Sequence, residues 1–105
     1  MDMFEKVSVV KKANIYFDGK VTSRTVLLEN GDKITLGIIL PGEYEFGTAE
    51  KEKMEILKGK MNVLLPNNEE WITIEEGQSF EVPSNSSFKL VALELSDYCC
   101  SYIKE

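Results

Sequence analysis

The chain has 105 residues, of which 43% are hydrophobic and 29% are charged, so its size and composition fit one folded domain. Its net charge of −6 repels nucleic-acid phosphates and anionic membrane surfaces, which argues against partners of either kind. No apolar run is long enough to cross a bilayer, and the first residues lack the pattern of a secretory signal. We therefore expect a cytoplasmic protein.

The N-terminal third of the chain contains one clear hairpin signal. Residues 21–28 and 34–40 are strand-like segments that flank Asn30-Gly31, and this dipeptide favours a tight turn because both residues tolerate positive φ. Residues 1–12 mix lysines with valines, and we expect them to form either an added edge strand or a loose arm.

The remainder of the chain alternates apolar and polar residues with the period of a β-strand, most clearly at 44–48, 53–56 and 71–74. Turn residues separate these segments at 41–42, 58–60, 66–68, 75–77 and 83–86. No long segment combines a helical period with helix start and stop signals. The pattern predicts an all-β antiparallel sandwich or barrel, with residues 1–105 in a single domain.

The two cysteines, Cys99 and Cys100, are adjacent near the end of the chain. Neighbouring Cα atoms lie about 3.8 Å apart, below the usual span of a disulfide, and neighbouring strand residues point to opposite faces. We expect reduced strand residues with no redox or metal role.

The first of two motif frames resembles that of the cupins, whose fold is a jelly-roll barrel. Glu52 and Gly59 keep the spacing of the glutamate and the last glycine in the first cupin motif, and Gly42 stands as its first glycine. Phe46 and Thr48 stand at one alignment of the two histidines that hold a metal in many cupins.

The second cupin motif is also recognisable. Gly77 and Pro83 keep its frame, Asn85 replaces its last glycine, and an Asn can also adopt a left-handed turn. Phe88 stands where a metal-binding cupin has histidine, and the chain contains no histidine anywhere.

A longer string resembles one family much more closely, the small bacterial pyrimidine/purine nucleoside phosphorylases. The matching positions are 14–23, 42–50, 62–66 and 80–88, together with Met54, Gly59, Trp71, Gly77 and Tyr98. The resemblance implies a metal-independent cupin, a homodimer, and a pentosyltransferase activity. Such an enzyme cleaves purine or pyrimidine nucleosides with inorganic phosphate as co-substrate, giving a free base and α-D-ribose 1-phosphate, and uses no other cofactor.

The chemistry of phosphorolysis indicates which residues could be catalytic. Displacing a base from C1′ develops positive charge on the sugar and negative charge on the base, so the site must hold the phosphate, the ribose and the leaving base. Glu52 and Glu43 are the candidate catalytic residues. Glu52 would grip the ribose hydroxyls or, with its pKa raised by burial, act as a general acid. For both residues the competing interpretation is a solvated surface carboxylate.

Five residues are candidates for binding the nucleoside. Phe46 or Phe88 would stack on the base. The hydroxyls of Tyr44, Thr48 or Ser87 would bond to the sugar, base or phosphate, provided that strand alternation points Tyr44, Phe46 and Thr48 inward.

Lys20 and Lys53 are the cations nearest to the motif segments, and we predict them as phosphate-binding residues, with a solvated surface lysine as the competing interpretation. Trp71, Phe80 and Leu90 are expected in the core or at a dimer interface.

Two other function classes stay open. The first is a non-catalytic cupin that binds a small nucleoside-like or sugar-like ligand, since fold does not fix function. The second is a metal-dependent cupin, in which Glu43, Glu45 and Glu52 would hold a hard cation in place of the missing imidazoles.

Overall fold

The computed structural model of the protein describes residues 3–104. These residues form eleven β-strands and one short 3-10 turn, so the all-β prediction is confirmed. The elements in chain order are β1 (Ser8–Val9), β2 (Asn14–Tyr16), the 3-10 turn (Phe17–Gly19), β3 (Val21–Leu27), β4 (Lys33–Ile39), β5 (Gly42–Gly47), β6 (Lys51–Lys58), β7 (Lys60–Leu64), β8 (Ile72–Glu75), β9 (Ser79–Val82), β10 (Ser87–Ala92) and β11 (Ser96–Ile103).

The strands form two antiparallel sheets. The larger sheet has seven strands in the order β1-β3-β4-β11-β6-β9, with β2 also paired to β3, and the smaller sheet has the order β5-β10-β7-β8. Strands that are distant in sequence are neighbours in both sheets, as in a jelly roll. The predicted cupin-type fold is therefore confirmed, although the two sheets face each other as a sandwich and do not close into a continuous barrel.

Local turn chemistry agrees with the sequence. β3 and β4 pair as the hairpin predicted around Asn30-Gly31, and Gly31 has a φ of 90°. Asn85, which replaces the last glycine of the second cupin motif, has a φ of 52°, so it does adopt the left-handed conformation.

The core lies between the sheets and is built by inward-facing residues of strands β3 to β11. Phe80 and Leu90 are buried there, as predicted. Trp71 is not a core residue: it is 46% exposed in the turn before β8. Its sequence neighbours carry charge, and the inward position of this edge strand belongs to Ile74 instead.

The outer face of the larger sheet carries a second, smaller apolar cluster of Val26, Ile34 and Cys99, against which Val7 packs. β1, within the uncertain N-terminal segment, pairs with β3 as an added edge strand, while residues 1 and 2 lie outside the described residues. Both cysteines are free and buried, in line with the prediction of reduced strand residues. Residues 3–104 contain no helix with the length and hydrophobicity that a membrane span requires.

Candidate functional site

A cavity of about 320 Å³ lies between the two sheets. This volume is at the lower end of the range of small-molecule sites. The larger sheet contributes hydroxyl, thiol and carboxyl groups to its lining, and the smaller sheet contributes two phenyl rings together with Glu45. We call these two sides the polar wall and the aromatic wall.

The polar wall follows from strand register. Cys100 of β11 pairs with Thr35 of β4, and Tyr102 and Tyr98 lie two residues to either side of Cys100, so their side chains share the inner face. Ser23 of β3 lies on the same face, where Asn14 Nδ2 donates a hydrogen bond to Ser23 Oγ at 3.2 Å. Polar groups of three strands therefore converge on one side of the cavity.

Glu52, a predicted catalytic residue, belongs to the polar wall, because β6 pairs Glu52 with Tyr102. The Cys100 thiol donates a hydrogen bond to Glu52 Oε1 at 3.5 Å. Burial raises the pKa of the Glu52 carboxyl, the thiol and the Lys33 ammonium act to lower it, and Glu50 adds a smaller increase. The structure thus places the Glu52 carboxyl in the cavity lining, next to a thiol and within the field of a cation.

The other acidic groups of the polar wall stay protonated at neutral pH. Burial raises the pKa of the Cys100 thiol to about 12, and the neighbouring Glu52 carboxylate acts in the same direction. Burial likewise raises the pKa of the Tyr98 phenol to about 12, and it raises that of the Tyr102 phenol as well. These groups are therefore hydrogen-bond donors, with Glu52 as the acceptor among them.

The aromatic wall is built from Phe46 of β5 and Phe88 of β10, which are direct partners in the smaller sheet. Their rings stack with centroids 5.5 Å apart and an interplanar angle of 30°. Both residues were predicted to bind the base, and both line the cavity. Phe88 is nearly fully buried, while Phe46 is half-buried, so the Phe46 ring is the more accessible of the two.

A strained turn adds a third ring. Phe17, Asp18 and Gly19 have φ values of 51°, 56° and 91°, and positive φ is unusual for a bulky residue such as Phe. The Phe17 ring lies edge-on to Phe46 with centroids 5.5 Å apart, and it also packs edge-on against Tyr44 at 5.0 Å. The turn thereby places an exposed aromatic ring at the cavity lining.

Three predicted binding residues do not line this cavity. Thr48 Oγ1 donates a hydrogen bond to the Pro83 carbonyl at 2.7 Å and accepts one from the Ser86 amide at 3.0 Å, which ties the end of β5 to the turn before β10. The Tyr44 hydroxyl donates to the Leu40 carbonyl at 2.7 Å. Ser87 is exposed at the start of β10. The ligand contacts of these three residues stay predictions.

Glu43 and Lys20 lie together elsewhere. They line a second, smaller cavity of about 210 Å³ beside the strained turn, with Asp18 and Tyr44. Lys53 lies between Glu52 and Met54 on β6, and adjacent strand residues point to opposite faces, so its side chain is directed away from the main cavity. The structure therefore separates these three residues from Glu52 and the aromatic wall.

The three glutamates considered for a hard cation do not converge. Within residues 3–104, no three acidic or thiol side chains cluster closely enough to hold a metal ion together. Glu52 and Glu45 both line the main cavity, but Glu43 lies at the second one.

Sequence reasoning missed most of the polar wall. Tyr98, Cys100 and Tyr102 carry a detectable signal, because polar or amphipathic residues recur at every second position of the last strand. Ser23 and Thr35 carry no such signal, because only the order of strands in the larger sheet brings them to the same face as β11.

The chain matches known proteins along nearly its whole length. Residues 11–102 match the model of the family described as pyrimidine/purine nucleoside phosphorylase. A pyrimidine/purine nucleoside phosphorylase from Syntrophotalea carbinolica is 60% identical over 104 residues, covering 99% of this chain and 100% of the relative. One of the same name from Leptospira interrogans is 58% identical over 104 residues, covering 99% of this chain and 98% of the relative.

A solved structure supports the same grouping. A protein of unknown function from Acinetobacter sp. ADP1 is 43% identical and superposes with a TM-score of 0.93, over 96% of this chain and 98% of that one. Sequence and fold agree across the strands that carry both walls of the cavity. The chain belongs to the pyrimidine/purine nucleoside phosphorylase family.

Proposed function

We propose that the protein is a nucleoside phosphorylase of broad base specificity. It converts a purine or pyrimidine nucleoside and inorganic phosphate into a free base and α-D-ribose 1-phosphate, which makes it a pentosyltransferase. The observation that carries this proposal is the two-walled cavity, with a carboxyl group and several donors facing a pair of phenylalanine rings. The names of its full-length relatives support the same reaction.

The polar wall fits a ribose. Vicinal hydroxyls both donate and accept hydrogen bonds, and a carboxylate surrounded by protonated donors offers both kinds of partner. In this proposal Glu52 accepts from the ribose hydroxyls, while Tyr98 and Tyr102 donate to sugar oxygens. Fixing the sugar against this wall holds C1′ in one orientation, which is the main contribution that positioning makes to such a displacement.

The aromatic wall fits a nucleobase without selecting one. Every base presents a π-face, so stacking on Phe46 is tolerant of base identity. Phe88 backs Phe46 from the core and fixes the orientation of its ring. Broad acceptance of purines and pyrimidines follows, because neither ring offers a hydrogen bond that would discriminate between base edges.

We further propose that the protein works without a metal or organic cofactor, is a cytoplasmic enzyme and forms a homodimer. The support for a dimer is the pair of open-edged sheets, since exposed edge strands favour pairing with another chain. Light scattering coupled to gel filtration tests the dimer: a mass near 24 kDa is expected, twice the 11.9 kDa of one chain, and a mass of one chain contradicts it.

A phosphate-dependence assay tests the reaction. Uridine, adenosine, inosine and guanosine are each incubated with the protein, with and without phosphate, and base release is followed by chromatography. We expect base release only with phosphate and an unchanged rate after treatment with a chelator. Equal release without phosphate would identify a hydrolase, and thermal stabilisation by nucleosides without turnover would identify a binding protein.

A further inference from the structure

Lys33 is a cation at the end of the polar wall that the sequence motifs do not mark. It is the first residue of β4 and lies two positions before Thr35, so strand alternation places both side chains on the inner side of the larger sheet. The Lys33 Nζ lies 4.3 Å from the centroid of the Tyr102 ring, and that ring lines the cavity. A cation–π contact of this length holds the ammonium group in place over the wall.

The positive charge of Lys33 is available to bind an anion. Its ammonium is close enough to Glu52 to act against the increase that burial causes in the pKa of that carboxyl. Neither of the two ion pairs found among residues 3–104 includes Lys33: one joins Lys51 to Glu81, and the other joins Lys60 to Glu75. Lys33 is also exposed, so an anion from solvent can reach it.

The stereochemistry of the proposed reaction fixes where the phosphate must approach. A β-nucleoside that gives an α-sugar phosphate undergoes inversion at C1′, so the phosphate attacks from the face opposite the base. The 2′ and 3′ hydroxyls lie on that same face. Because those hydroxyls contact Glu52 in the proposed function, the cation that receives the phosphate must stand near Glu52.

We propose that Lys33 binds the attacking phosphate, at a site formed beside Glu52 and Tyr102 at the end of the polar wall. This inference rests on the proposed function, and it adds a phosphate-binding residue to it. Lys20 lines a separate cavity with two carboxylates nearby, and Lys53 is directed to the other face of the sheet, so neither meets the stereochemical requirement.

The overall charge of the protein makes such a local cation necessary. A net charge of −6 gives no long-range attraction for an anion, and Glu52 places a further carboxyl group next to the attacking phosphate. The ammonium of Lys33 offsets both effects at short range. Removal of the Lys33 ammonium group therefore weakens phosphate binding far more than nucleoside binding.

Initial-rate kinetics with Lys33→Gln, Lys33→Arg and Lys89→Gln test the proposal. Lys89→Gln is the matched control, since Lys89 is exposed on β10. Its neighbour Phe88 lines the cavity, so the Lys89 side chain points to the opposite face of the sheet. We expect the KM for phosphate to rise about 10- to 100-fold in Lys33→Gln, with a much smaller change in the KM for uridine and partial recovery in Lys33→Arg. Thermal melts confirm that each variant is folded.

If the wild type is active, an unchanged phosphate KM in Lys33→Gln would overturn the role of Lys33. An equal change of the phosphate KM in Lys89→Gln would do the same, and both results would leave the phosphorylase reaction intact. If the wild type shows no phosphorolysis, the proposed function fails instead. In that case, titration of inorganic phosphate followed by ³¹P NMR in the presence of uridine still decides about Lys33. Line broadening that disappears in Lys33→Gln supports the site, and broadening that persists contradicts it.

Discussion

The two walls of the cavity differ in chemistry because they belong to different sheets. The larger sheet contributes a carboxyl, a thiol and several hydroxyls to the cavity lining, while the smaller sheet contributes two stacked phenylalanine rings and Glu45. A nucleoside has the same division, with a hydroxyl-rich sugar at one end and a flat aromatic base at the other. In the proposed function, recognition of the sugar and tolerance of the base therefore belong to separate sheets.

The polar wall also depends on a glycine beneath it. A Cβ at Gly37 of β4 would lie 2.8 Å from two atoms of the Tyr98 side chain and would collide with the Thr22 carbonyl. The Tyr98 ring can therefore lie across β4 only because position 37 carries no side chain. On the other side, a Cβ at Gly47 of β5 would meet only the Ser86 carbonyl, at 3.9 Å, which is an ordinary contact.

The largest effect should come from Gly37→Ala. The added methyl group must displace Tyr98 or separate two paired strands, which we expect to cost about 3 kcal/mol of unfolding free energy and to lower activity. Gly47→Ala is the matched control and should change the unfolding free energy by less than about 1 kcal/mol. Urea denaturation of both variants measures the difference, and equal losses would contradict the asymmetry between the walls.

Glu52→Gln should have the next largest effect. The amide keeps the shape of the side chain but replaces the carboxylate, which in the proposed function accepts hydrogen bonds from the ribose hydroxyls. We therefore expect kcat/KM to fall by about 100-fold. The loss should be the same for uridine and inosine, because both carry the same sugar. Glu69→Gln, in the exposed turn before β8, should leave kcat/KM unchanged. A loss confined to one class of nucleoside would contradict the assignment of Glu52 to the sugar.

Phe46→Ala tests the aromatic wall. Removing the accessible ring should raise the KM by about tenfold for purine and pyrimidine nucleosides alike, since stacking does not depend on base identity. Leu57→Ala removes an exposed apolar side chain from β6 and serves as the control. If Phe46→Ala affected neither KM, the base would have to bind elsewhere.

The smallest effect concerns pH and stability. Burial raises the pKa of Glu52 in the folded state, so the folded protein binds more protons than the unfolded chain between the ordinary value of about 4.3 and the raised value. The free energy of unfolding therefore falls as pH rises through this window. Above the raised pKa, this loss of stability no longer changes with pH. Glu52→Gln has no carboxyl group to titrate and so avoids this loss of stability. The Tm of the variant should therefore exceed that of the wild type at pH 7, and the two values should converge below about pH 4. A Tm difference that is the same at both pH values would contradict this account.

Much of the fold was predictable from the sequence, because β-strand alternation and turn residues are local signals. Asn30-Gly31 and Asn85 specify their turns through backbone conformations that few other residues tolerate. Trp71 lies outside the core, so only the dimer interface stays as its predicted place; its position next to an edge strand is not visible in the sequence.

The candidate site was only partly predictable. Glu52, Phe46 and Phe88 stand within recognisable motif frames, and the structure brings these three residues to one cavity. Ser23 and Thr35 lie outside those frames and reach the cavity through the pairing of β4 with β3 and β11, which is a long-range property of the fold. Lys33 also lies outside the frames, and its ammonium contacts the Tyr102 ring of the cavity lining. Proximity to the motif segments favours Lys20 and Lys53 as phosphate-binding residues, but proximity in sequence does not determine the direction in which a side chain points.

A crystal structure with uridine and sulfate, the latter as a phosphate analogue, tests the two-wall account most directly. The account predicts the ribose hydroxyls against Glu52, the base on the Phe46 ring and the sulfate beside Lys33, on the face of the sugar opposite the base. A nucleoside bound in the second cavity beside Lys20 and Glu43, with Glu52 free of ligand, would contradict it.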